Sequence, residues 1–110
     1  MTEDDVEIEI RAKHLDAPRL SPADIDHAIV GEDYYVFPDT SLTVCALILR
    51  NDFIVVGHSA PASPDNFDPE LGRKIARAHA RDQIWALEGY RLRQSLYEGE
   101  AKDGEGTRPD

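Results

Sequence analysis

The sequence predicts an α+β fold of order α-β-β-β-α, a three-stranded antiparallel sheet with a long C-terminal helix. Three observations carry this. Residues 42–49 (LTVCALIL) and 53–59 (FIVVGHS) are apolar runs parted by the turn residues Arg50-Asn51-Asp52, the pattern of a hairpin. Asp68-Pro69-Glu70 opens a helical pattern of roughly thirty residues. Ser21-Pro22-Ala23-Asp24 is a second helix start, with a capping hydroxyl, a proline at the first position and a carboxylate three residues after the cap.

At the N-terminus Val6, Ile8 and Ile10 alternate with Glu7, Glu9 and Arg11. Residues 1–20 are read as an edge strand on that alternation, or as a flexible segment on their terminal position. The helix after Ser21 spans about 22–29, with Ile25, Ala28 and Ile29 as its stripe and Gly31 as its terminator. A short aromatic strand follows at 34–37, closed by Pro38, Asp39 and Thr40.

The strand at 42–49 is apolar on both faces, so both are expected to be covered. Asn51 is the turn residue that tolerates the left-handed conformation. Gly57 marks a bulge or a close backbone approach.

Asp68 caps the long helix, expected at 69–97. Leu71, Ile75, Ala78, Trp85 and Ala86 form its expected core stripe. Ala76, Ala80, Ile84 and Leu87 form a second apolar set, suited to the first helix or to a second subunit. Such a helix is about 45 Å long and outreaches its own sheet, unless it kinks at Gly89. Leu92 and Leu96, flanked by Tyr90, are therefore the expected interface of a homodimer. Residues 21–97 are read as a single domain and 98–110 as a disordered acidic tail.

The chain has 110 residues and a net charge of −10, unevenly spread. Residues 21–70 carry nine acids and one base, whereas 71–97 carry two acids and six bases. The acidic whole opposes non-specific binding to nucleic acid or membrane surfaces. Arg73, Lys74, Arg77 and Arg81 form one basic face, a solvated surface or a binding site for an anion or acidic partner.

One cysteine, Cys45, rules out an internal disulfide; in an apolar strand it reads as a buried hydrophobe. The start M-T-E-D-D lacks a leader pattern, and no apolar run reaches the ~18 residues of a spanning helix. A soluble, cytoplasmic protein is expected. His14, His27, His58 and His79 make no metal-ligand spacing, although His58 and His79 could meet in space. No nucleophile elbow, Walker or Rossmann pattern is present, so neither an enzyme nor a cofactor is expected.

Two blocks carry a resemblance. They are S-P-D-N-F-D at 63–68 and I-W-A-L-E-G-Y at 84–90, joined by Tyr35, Phe37-Pro38, Cys45, Asn51, Gly57, Ser59-Ala60 and Gly72-Arg73-Lys74. The chain resembles, over about residues 34–96, a family of tailed-phage and prophage proteins named after phage N4 gene 49 and phage Sf6 gene 66. It departs at Asp52, where that hairpin commonly has glycine, and at Pro61, where a cysteine is expected. The resemblance implies a phage accessory protein with no established biochemical role.

The element order is also similar to that of double-stranded RNA-binding domains, and Arg73-Lys74-Ile75-Ala76-Arg77 is similar to their basic helix motif. Shared topology does not carry shared function. The expectation is a non-enzymatic module that binds a host or phage protein. The alternative is a nucleic-acid-binding module using the basic face.

Overall fold

The computed structural model describes residues 2–14 and 17–103. Its elements are α1 (Glu3–Ala12), α2 (Pro22–Ala28), β1 (Ile29–Val36), β2 (Thr43–Leu49), β3 (Ile54–Ser59), a 3₁₀ turn (Pro64–Asn66) and α3 (Pro69–Asp103). The α+β class and the predicted α-β-β-β-α order are present, preceded by one further helix. The sheet order is β1-β2-β3, antiparallel throughout, with β2 in the centre as predicted.

Residues 3–12 form a helix, not an edge strand. Thr2 Oγ1 accepts from the Asp5 N–H at 3.1 Å, and Asp5 Oδ2 accepts from the Thr2 N–H at 3.2 Å. This capping box closes the first turn, and Glu3, Asp4 and Asp5 suit its positive end. The inward stripe is Glu3, Val6, Glu7 and Ile10, at helical spacing; Ile8 points to solvent. Half of that stripe is charged, so apolar periodicity does not reveal it.

α2 starts as predicted. Ser21 Oγ accepts from the Asp24 N–H at 3.3 Å and Asp24 Oδ2 from the Ser21 N–H at 2.9 Å. These bonds hold the Asp24 carboxyl below its ordinary range. β1 begins directly after α2, earlier than predicted, with a bulge between Ile29 and Gly31. Gly31 therefore lies in the strand instead of ending a helix; β-branched Ile29 and Val30 draw the chain into extended form.

The first turn places Pro38 and Asp39 between Phe37 C=O and Thr40 N–H, 3.1 Å apart, with Asp39 at φ 63°. Proline then a left-handed residue is the type II arrangement. In the second turn the left-handed residue is Asp52 (φ 71°), not Asn51. Asn51 Oδ1 instead accepts from the Phe53 N–H at 3.1 Å. Bonds from Asp52 N–H to Leu49 C=O and from Leu49 N–H to Phe53 C=O, both 2.8 Å, define a three-residue hairpin loop. Asp52 thus sits where the hairpin favours glycine.

α3 opens on Asp68, whose Oδ1 accepts from the N–H groups of Glu70 at 2.9 Å and Leu71 at 3.3 Å. It runs through Gly89 to Asp103 without a break, six residues beyond the expected end. Residues 104–110 of the expected acidic tail lie outside the described residues.

The core-facing stripe of α3 is the other apolar set. Gly72, Ala76, Ala80 and Ile84 are buried, whereas Leu71 and Ile75 are 52% and 48% exposed. Size explains this. A Cβ on Gly57 of β3 would stand 2.3 Å from Ala76 O and from Ala80 N, so helix and strand touch backbone to backbone. Only small residues fit that seam. Gly57 marks a close backbone approach and not a bulge, since the β2–β3 register stays unbroken. Ile25 and Ala28 of α2 complete the core over Cys45, Leu47, Leu49 and Val55.

Candidate functional site

The four bases of the predicted site do not act as one patch. Arg77 Nε donates to Glu32 Oε1 at 2.9 Å. Arg81 Nε donates to Asp26 Oδ1 at 2.9 Å and its Nη1 to Glu3 Oε2 at 2.6 Å. The Glu32 and Glu3 carboxyls are each held below the ordinary range, chiefly by their arginine. Arg73 and Lys74 are exposed, and among the described residues no acid pairs with them. Two of the four charges thus hold the fold together, and the acids that consume them come from α1, α2 and β1.

Arg77 also anchors a small, partly exposed network that runs inward to Cys45. Glu32 Oε2 accepts from Tyr34 Oη at 2.9 Å, and the Tyr34 hydroxyl lies beside the Cys45 thiol. Burial and then Glu32 push the Tyr34 pKa up to about 12. Burial pushes the Cys45 thiol up as well, and its side chain is fully enclosed. A high-pKa, enclosed thiol is a packing group, not a nucleophile.

His58 and His79 do meet, with rings 4.9 Å apart and edge to face. His79 Nδ1 accepts from the backbone N–H of His58 at 3.0 Å, and Gln83 Nε2 donates to Val56 C=O at 2.6 Å. Two side chains of α3 therefore occupy two outer backbone groups of β3, the His58 N–H and the Val56 C=O, on what is otherwise a strand edge. Among the described residues no group of three or more His, Cys, Asp or Glu is placed to hold a metal. None of the helices among these residues is long and apolar enough to cross a membrane.

The S-P-D-N-F-D block builds the entry to α3. Ser63 Oγ accepts from the Asp65 N–H at 3.3 Å, Pro64 opens the 3₁₀ turn and Asp68 caps the helix. Phe67, Leu71, Ile75 and His58 then wall an open cleft of 440 Å³. In the second block Ile84 is core, Trp85 faces α1, and Tyr90 is 74% exposed.

The residues expected at a subunit interface divide similarly. Leu92 is half-buried and lines a hollow with Pro18 and Leu20 of its own chain; Leu96 is also half-buried. Tyr90 alone stands out into solvent.

The outer face of the sheet was expected to be covered, and it is open. Cross-strand pairing places Tyr35, Val44 and His58 in one row, Asp33, Ala46 and Val56 in the next, and Gly31, Ile48 and Ile54 in the third. Tyr35, Ile54 and Val56 are 55%, 54% and 50% exposed. Phe37 extends the patch, its ring meeting that of Tyr35 at 4.9 Å. The only residues in these rows that carry charge at or near neutral pH are Asp33 and His58. Two-sided apolar character in β2 thus reflects a core on one face and an unpartnered surface on the other.

The model of a phage protein family, that of N4 Gp49 and phage Sf6 gene 66, matches residues 20–96. Comparison with curated proteins and with solved structures finds no match.

Proposed function

The chain belongs to the phage protein family of N4 Gp49 and Sf6 gene 66, and from that premise we propose that it is a non-enzymatic accessory protein that binds a host or phage protein in the host cytoplasm. The open apolar sheet face carries this reading. A contiguous apolar patch on a small, highly charged chain is the usual mark of a protein-binding surface. Its rim is acidic, with Asp33 in the face and Asp39 and Asp52 at the two turns, so the fitting partner is apolar with a basic border. Nucleic acid fits less well, because Arg77 and Arg81 are engaged within the chain. The homodimer expected through Leu92, Leu96 and Tyr90 has narrower support, since Leu92 turns onto its own chain. We therefore place the partner contact on the sheet face.

The test is affinity capture from phage-infected cells, followed by a binding titration with the purified captured protein. Ile54→Lys with Val56→Glu, on the open face, should weaken binding at least about tenfold while the fold is kept. A partner bound equally well by that variant would overturn the assignment, as would recovery of nucleic acid alone.

A further inference from the structure

Helix α1 is seated unlike the other two. α2 places Ile25 and Ala28 in the core and α3 places Ala76, Ala80 and Ile84 there, but no residue of α1 is fully buried. Its inward stripe repeats acid and apolar residues one helical turn apart, as Glu3, Val6, Glu7 and Ile10. Each acid finds an arginine. Arg81 Nη1 donates to Glu3 at 2.6 Å, and Arg19 Nη1 donates to Glu7 at 2.7 Å. Trp85 Nε1 adds a bond to Glu3 at 3.1 Å. Val6 and Ile10 face Leu20, Pro22 and Trp85 across a cavity of 270 Å³, so the seat is loosely filled.

Solvent reaches both ion pairs and screens them. A ten-residue helix does not keep its shape alone in water. Docking and folding of α1 are therefore one event, and a ligand that takes the groove releases the segment as a coil. The family match begins at residue 20. The groove floor and Arg81 lie inside it, and α1 lies outside.

We propose that this groove is a docking site for an acidic amphipathic helix of a partner protein, and that α1 is its built-in competitor. The occupant is specified by charge and shape. Two arginines ask for two carboxylates one turn apart, the Trp85 N–H asks for an acceptor, and the apolar floor between them asks for aliphatic side chains. A basic helix would leave Arg81 Nη1 and the Trp85 N–H unmatched, and a phosphate backbone would leave the floor bare. The groove lies on the helical layer, opposite the open sheet face, so its test is independent of the function proposed above.

Trp85 is the only tryptophan of the chain and lies in the groove, so its emission reports on occupancy. In the full chain, Val6→Glu with Ile10→Glu should release α1, shifting emission to the red and increasing quenching by acrylamide. A synthetic peptide of residues 2–13 should reverse the shift in that variant and leave the wild-type chain unchanged. The same peptide with Glu3→Gln and Glu7→Gln should bind about tenfold or more weakly. Three results would overturn the proposal: unchanged Trp85 emission in the variant, equal binding of the peptide by variant and wild type, or equal binding of both peptides. A wild-type chain that doubles in mass with concentration while Trp85 stays shielded would also overturn it, since a second copy would then supply the helix.

Discussion

Gly57 of β3 lies under Ala80 of α3 with no room between them: a methyl group on the glycine would sit 2.3 Å from the alanine's backbone nitrogen. Backbone cannot retreat as a flexible side chain can. Gly57→Ala should cost about 3 kcal/mol or more, the upper part of the range for overpacking. Urea unfolding measures it. A loss below about 1 kcal/mol would mean that α3 is not seated on β3 in this way.

Asp52 holds a left-handed backbone at φ 71°, where an L-residue pays and glycine does not. Asp52→Gly should raise stability by about 0.5–1 kcal/mol, the conformational gain being partly offset by the freer unfolded chain. A higher urea midpoint at unchanged slope is the expected result.

The Glu3 carboxyl is held low by its bond to Arg81. A carboxyl depressed in the folded state contributes stability above its unfolded value and loses it as pH falls through the folded one. The docking of α1 should therefore be full at neutral pH and weaken below the ordinary carboxyl range, about pH 4. Trp85 quenching followed from pH 7 to pH 3 shows it, and Glu3→Gln should remove that part of the pH dependence.

With Arg77 and Arg81 engaged, Arg73 and Lys74 are left to meet phosphate. Duplex DNA binding should be weak, with log K falling against log salt at a slope of about −2, as two phosphate contacts dictate. A gel-shift titration showing sub-micromolar affinity at about 150 mM salt would contradict this.

Leu92 and Leu20 line one hollow within the same chain. Leu92→Ala should cost about 1–2 kcal/mol, part of the value of a fully buried leucine, at any protein concentration. A cost that vanishes on dilution would move the contact to a second subunit.

Local signals were legible in the sequence and distant ones were not. The hairpin at Asn51 and the caps at Ser21 and Asp68 depend on neighbours within a few residues, and they appear where expected. The core stripe of α3 was misread because hydrophobicity favours Leu71 and Ile75, whereas the seam at Gly57 selects for small size. α1 was misread because two of its four contact residues are glutamates. The fate of the basic face was hidden by distance along the chain: Arg77 meets Glu32 across 45 residues, and Arg81 meets Asp26 across 55 and Glu3 across 78. The open sheet face was hidden because an apolar strand face reads the same whether a helix or a foreign protein covers it.

His79 and Gln83, by occupying the backbone groups of β3, make the sheet directional. Strand addition on the β3 side would have to displace two hydrogen bonds, and on the β1 side Glu32 and Asp33 discourage it. Two chains joined there, β1 against β1, would present two β3 borders, each with backbone groups already taken by its own helix. The fold thus sets a cost on a fibre that it does not set on a pair, through two polar side chains on a helix.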